Sequence, residues 1–226
     1  MRTLVRMGML LMPLACHAQA QVTDADFCRN GGFPREQEQL SLGVVQGRPG
    51  EKIHFFDDLD GCPARGAMCM RAAYLVPGDQ VLVGKRSADW ACVWYQGRKH
   101  ESVSWVPARN IALLPAPPLD PVRDWVGTWS DGLSTIRISA PKAGGKLQIS
   151  SRLRWDGGVG PDGERRMNFG GMQAAIEVQG AKASASDSNN CQVALTRIGR
   201  YLVADDNGEC GGMNVRHTGM YFRRPH

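Results

Sequence analysis

Four prolines fall within eight residues at Leu114-Pro115-Ala116-Pro117-Pro118-Leu119-Asp120-Pro121. Fixed φ angles and missing backbone donors exclude a helix or a central strand there and favour an extended, polyproline-like linker over residues 115–121. The chain therefore divides into two segments of about a hundred residues each, an ordinary domain size. Neither segment carries an apolar stripe at helical spacing. Both alternate β-branched and aromatic residues with polar ones, punctuated by Gly, Asn and Asp. The expectation is an all-β chain of two small domains: a β barrel with an N-terminal extension over 21–114, and an antiparallel β barrel or curled sheet over 122–226.

The first residues have the three-part form of a secretory signal peptide: Arg2 and Arg6, an apolar Met7 to Ala15, and Ala18-Gln19-Ala20. Cleavage after Ala20 is expected, and the apolar run is too short to span a bilayer. The alternative is a lipid anchor on Cys16, for which Pro13 is the wrong residue upstream. A periplasmic or secreted location is the expectation, and no later segment reaches membrane-spanning length. Cysteine usage agrees: without Cys16, six of the seven cysteines remain, an even number that reads as disulfides in an oxidising compartment. Six cysteines allow fifteen connectivities. Proximity favours Cys62 with Cys69 across a short loop and Cys191 with Cys210 in consecutive strand-like segments, leaving Cys28 with Cys92. No Cys-x-x-Cys or Cys–His cluster at zinc spacing offers a metal site, and no cofactor is expected.

Pro77-Gly78-Asp79 is a turn that launches a strand, Gln80 to Val83, and two more strands follow at Ala91 to Tyr95 and Ser102 to Val106. This order of parts, over roughly Glu51 to Leu114, resembles the bacterial Src-homology-3-like barrel of envelope proteins, with Ser104 in place of the usual Gly before Trp105-Val106. The resemblance implies recognition of a cell-wall peptide or a protein partner in an aromatic groove, for which Tyr74, Trp90, Trp94, Tyr95 and Trp105 are the candidates. Alternation separates them: Ala91, Val93 and Tyr95 share one face, Cys92 and Trp94 the other.

In the second segment, paired strands flank Gly144-Gly145, Gly180 and Gly199-Arg200, and Met220 to Arg223 forms the last strand. Asn207-Gly208 is the strongest two-residue hairpin signal. Gly127-Thr128-Trp129 with a late arginine-bearing strand resembles lipocalin-like barrels, in which an early Gly-x-Trp packs beneath a late Arg. Tyr201 to Arg223 is also similar to the ends of exported proteins related to lysozyme inhibitors, although no inhibitory residues map onto it.

Catalytic motifs are lacking. Asp57-Asp58-Leu59-Asp60-Gly61 lacks the alternating oxygens and distal Glu of a calcium loop, and Gly157 to Gly163 lacks the Lys-Ser/Thr ending of a phosphate loop, reading instead as a mobile surface loop. His54, His100, His217 and His226 neighbour no nucleophile motif. The full chain carries +5; removing Arg2 and Arg6 leaves 25 basic and 22 acidic residues, a net +3 with no linear stripe for nucleic acid. Arg165-Arg166 and Arg223-Arg224 read as solvated pairs. The expectation is a non-enzymatic binding protein with peptidoglycan or a periplasmic protein as partner. The alternatives are an inhibitor of a cell-wall hydrolase, inserting Asp156 to Gly170 or the Cys62–Cys69 loop, and an apolar-ligand carrier, which requires a cavity in the second barrel.

Overall fold

The computed structural model describes residues 27–35, 40–98, 100–141 and 145–224. The expected signal peptide and the Cys16 alternative lie outside them. The chain is all-β, with two antiparallel sheets. The first contains β1 (Ser41–Val45), β2 (Ile53–Phe56), β3 (Met70–Leu75), β4 (Gln80–Ser87), β5 (Trp90–Gln96), β6 (Glu101–Pro107) and β7 (Ile111–Leu113), in the order β3-β2-β6-β5-β4-β1-β7. Alternate residues Val81 and Val83, Ala91 and Val93, with Ile53, Phe55, Leu75 and Val106, gather into one buried core. No regular structure follows β7 until a turn at Pro121–Trp125.

The second sheet contains β8 (Gly127–Ser130), β9 (Thr135–Ser139), β10 (Gln148–Val159), β11 (Arg165–Gly170), β12 (Gln173–Gln179), β13 (Lys182–Ser186), β14 (Gln192–Ile198), β15 (Tyr201–Asp206) and β16 (Gly219–Arg223). Pairing of β9 with β10 as well as β8 closes an eight-stranded up-and-down barrel. β11 stands outside the closure, extending β10 as a hairpin arm. The segment Gly157 to Gly163, expected as a loop, is part of this arm: β10 runs on to Val159, and only the tip turns. Inward residues Trp129, Ile136, Ile138, Ile149, Leu153, Ile176, Leu195, Leu202 and Tyr221 fill the barrel, as expected of an eight-stranded interior.

The lower end of the barrel is stoppered by Trp129. Its ring lies between two guanidiniums, Arg197 at 4.4 Å and Arg223 at 4.9 Å from the centroid, and its Nε1 donates to Trp125 O at 3.1 Å. Arg223 is exposed, as the sequence suggested, and also donates to Arg123 O and Asp124 O. Gly127 makes the approach: its φ is +151°, and a Cβ would lie 3.2 Å from Arg223 Nε. Arg197 is buried, and burial, then the nearby Arg223 charge, pushes its guanidinium down to about 10, opposed by Asp124.

The two sheets share a core. Leu82, Trp94, Val103 and Trp105 of the first pack with Ile198, Tyr201, Val203 and Met220 on the barrel's outer wall. Trp94 meets Tyr201 edge-on at 5.4 Å, and Phe222 closes the cluster 5.3 Å from Tyr201. Cys28 and Phe33 complete it, held by the Cys28–Cys92 disulfide. Tyr201 OH is buried and has no hydrogen-bond partner among the described residues. Tyr201→Ala should therefore cost about 3–5 kcal/mol, whereas Tyr201→Phe should change stability by less than about 1 kcal/mol or raise it. Calorimetry of the wild type should show one transition. Two separate transitions would show that this seam does not couple the sheets, and a costly Tyr201→Phe would show that the hydroxyl has a partner.

Candidate functional site

The five aromatic candidates do not form one groove. Trp94 and Trp105 are each 1% exposed and belong to the seam, so the groove they were expected to line is covered by the chain itself. The cause is their parity on β5 and β6: Trp94 and Trp105 share the face that docks on the barrel, a tertiary contact that alternation alone cannot reveal. Trp90, on the same face, remains half-buried at the rim, its ring 4.7 Å from Phe56. Tyr95 points the other way, packs against the inner core and donates to Asp79 Oδ1 at 3.1 Å. Burial, then the Asp79 carboxylate, pushes its phenol above the ordinary value. Tyr74 is exposed on β3, with Lys52 Nζ 4.5 Å from its ring centroid.

Beside the covered face lies a polar cleft of about 470 Å3. Its walls are Cys28 to Asn30, the Asp57-Asp58-Leu59 loop, Arg71, and Glu101 to Ser104 of β6. Both signs of charge are fixed there. Asp58 accepts from Arg29 at 2.8 and 3.2 Å and from the Cys28 amide at 3.0 Å. Asp57 pairs with Arg71 at 2.9 Å, and Glu101 accepts from Asn30 Nδ2 at 2.6 Å and Trp94 Nε1 at 2.8 Å. The acidic run 57–60 thus spends Asp57 and Asp58 on arginines. Two disulfides brace the walls: Cys28–Cys92 holds the N-terminal segment, and Cys62–Cys69 closes the loop that leads into β3. With Cys191–Cys210, all three pairings match those that proximity favoured, and they fit an oxidising, exported setting. No helix among the described residues is long and apolar enough to cross a membrane.

A second polar cluster sits in the barrel's upper end and is invisible in the sequence, because His217 and Asp206 lie 55 or more residues from Ser151. Ser151 Oγ lies 2.8 Å from His217 Nε2, and His217 Nδ1 lies 3.1 Å from Asp206 Oδ2. The order hydroxyl–imidazole–carboxylate is that of a serine hydrolase, but the setting differs. The His217 and Asp206 side chains are fully buried, Ser151 Oγ also accepts the Met172 amide at 2.9 Å, and Ser151 lines none of four surface clefts of about 360 to 570 Å3. The hydroxyl's neighbours are the His217 ring and the Met172 amide. Cys191 and Cys210 lie within 4.8 Å of the same histidine, with both sulfurs committed to their disulfide. The cluster is a strut that pins the 207–218 loop to β10 and β15. That loop also corrects the Asn207-Gly208 expectation: the chain leaves β15 there but returns only at Gly219, because Asp206 captures the Gly208 and His217 amides in between.

No family model, curated protein or solved structure matches this chain.

Burial pushes the Asp206 carboxyl up, but hydrogen bonds from the His217 ring, the His217 amide and the Gly208 amide outweigh it and hold it below its ordinary value. A depressed carboxyl contributes stability in full above its unfolded value, near pH 4, and loses it as pH falls through the folded one. Asp206→Ala should cost about 3–5 kcal/mol at neutral pH and flatten the acid limb of the stability profile. Urea melts from neutral pH down to pH 3 or so would check this; an unchanged acid limb would remove Asp206 from the account.

Proposed function

We propose that this chain is a non-enzymatic binding protein of the cell envelope that takes a short charged peptide of the cell wall in the cleft of its first sheet. The observation that carries this reading is the cleft's fixed, mixed charge. Arg71 and Asp57 at its mouth are paired with each other but about half exposed, so an incoming carboxylate or ammonium joins an ion pair that solvent already reaches. Wall stem peptides carry both groups. The disulfide bracing supports it further, because a site ordered before binding loses less entropy on binding. Phe56 and Trp90 add an aromatic rim, which is what survives of the groove implied by the Src-homology-3-like resemblance.

Co-sedimentation with purified peptidoglycan sacculi tests the reading. Wild type should pellet with sacculi. Arg71→Gln should weaken binding by about five- to tenfold through one lost charge-assisted contact, and Trp90→Ala should weaken it less. A wild type that stays in the supernatant would overturn the proposal.

A second reading, inhibition of a wall hydrolase, draws on the hairpin arm. Val159 and Phe169 are 66% and 64% exposed on it, and Met213 nearby is 78% exposed. Large exposed apolar side chains on a projecting arm suit insertion into a partner's cleft. On that reading Phe169→Asp abolishes capture of a periplasmic hydrolase and leaves sacculus binding intact.

A further inference from the structure

Alternation gives the second barrel outer walls of contrasting chemistry. On β14 to β16 the outward residues Ile198, Tyr201, Val203, Met220 and Phe222 are apolar and covered by the first sheet. On β9, and on β10 from Gln148 to Arg154, the outward positions are hydroxyls, an amide and arginines, and Arg137, Arg152 and Arg154 are all exposed. Arg137 stands between the inward Ile136 and Ile138, and Arg152 and Arg154 flank the inward Leu153. The register brings the strands' charges together. Arg137 lies opposite both Thr128 and Ser150, and Arg152 lies opposite Thr135. Arg137 and Arg152 are therefore diagonal neighbours at about 7–8 Å, and Arg154 follows two residues along the same strand, about 7 Å further. Arg224 joins from beyond β16, donating from Nη2 to Ser130 Oγ at 3.0 Å.

Among the described residues, Arg137, Arg152 and Arg154 form no salt bridge. The carboxylates closest in the chain have other partners: Asp131 accepts the Leu133 and Ser134 amides, and Asp156 pairs with Arg165 while also lying within reach of the Arg154 charge. The chain's modest net charge hides this wall, because the positions meet only when β9 and β10 pair.

We infer that this wall binds an anionic glycan, reading carboxylates spaced along an extended chain. Guanidinium forks match carboxylates in bidentate geometry. Between them Thr128, Thr135, Ser139, Ser150 and Gln148 offer the hydrogen-bonding groups that sugar hydroxyls require. Phe169, opposite Arg154 and 64% exposed, gives a flat ring at one end for a sugar face. A lipid surface fits less well, since the outward positions of β8, β9 and β10 from Gln148 to Arg154 carry no aliphatic side chain to enter the acyl boundary. This site is separate from the cleft of the first sheet and does not depend on it.

The test is titration of the wild-type chain with polygalacturonate, with neutral dextran, duplex DNA and phosphatidylglycerol vesicles as competing probes. Polygalacturonate should bind, and more weakly as salt rises. The R137Q/R152Q/R154Q variant should bind at least about tenfold more weakly. The R48Q/R98Q/R109Q variant makes the same change in net charge on the first sheet and should bind like the wild type. Thermal melts of both variants should match the wild type, because all six arginines are exposed. The inference is overturned by a wild type that ignores polygalacturonate, by equal losses in the two variants, or by preference for dextran, DNA or vesicles.

Discussion

The edge-to-face contact of Trp94 with Tyr201 decides which surfaces of this protein remain free. Each ring sits on the outer face of its own sheet, where an isolated domain would expose it. Joining them buries an apolar patch on both partners at once, and an aromatic pair of this geometry adds about 0.5–1.5 kcal/mol beyond the area it buries. Glu101 ties the contact to the rest of the chain. One carboxylate oxygen takes the Trp94 indole and the other takes Asn30, beside the Cys28–Cys92 disulfide. The N-terminal segment, the first sheet and the barrel are therefore registered against one another by a single cluster. The polar cleft exists because that segment is held there: without it, Arg29 and Asn30 would form no wall.

Much of this was legible in the residues. Alternation located β4 to β6, β9 and β12 to β16 to within a few residues, and cysteine proximity anticipated the three pairings. The Gly127-Thr128-Trp129 run marked the barrel's lower end, where Arg223 lies over the tryptophan. β1 to β3 were not legible, being short and, in β3, exposed on both faces, so that no apolar rhythm marks Met70 to Tyr74. The hairpin arm was missed for a related reason: a strand that leaves the barrel has no buried side to alternate with. What failed most plainly was the groove. Trp94 and Trp105 have the residue type and parity of a binding face, and only the partner sheet turns them into core.

The candidate sites were less legible than the fold because their geometry is long-range. Asp58 meets Arg29 across 29 residues, and His217 meets Ser151 across 66. Arg137, Arg152 and Arg154 look unremarkable in a chain of 27 basic and 22 acidic residues. They become a wall only through the closure pairing of β9 with β10.

The barrel's two ends argue for where function sits. Below, Trp129 is clasped by Arg197 and Arg223; above, Asp206, His217 and Ser151 lock the loop that carries Cys210. Between them the interior is packed with side chains. A barrel closed at both ends and filled along its length is poorly suited to carrying a ligand inside, unlike the open-mouthed barrels its Gly-x-Trp run resembles. Its polar groups are spent on rigidity: burying the Asp206 carboxylate is tolerated only because three hydrogen bonds hold it ionised. The proposed recognition is therefore sought on the outside, on surfaces whose shape the locked barrel and the disulfides fix in advance. Two faces that keep charge exposed after the sheets have docked are the cleft at Arg71 and the arginine wall of β9 and β10. The wall is suited to anionic groups and the cleft to groups of either sign; the wall lies on paired strands and the cleft is braced by two disulfides, so binding there need not order the protein first.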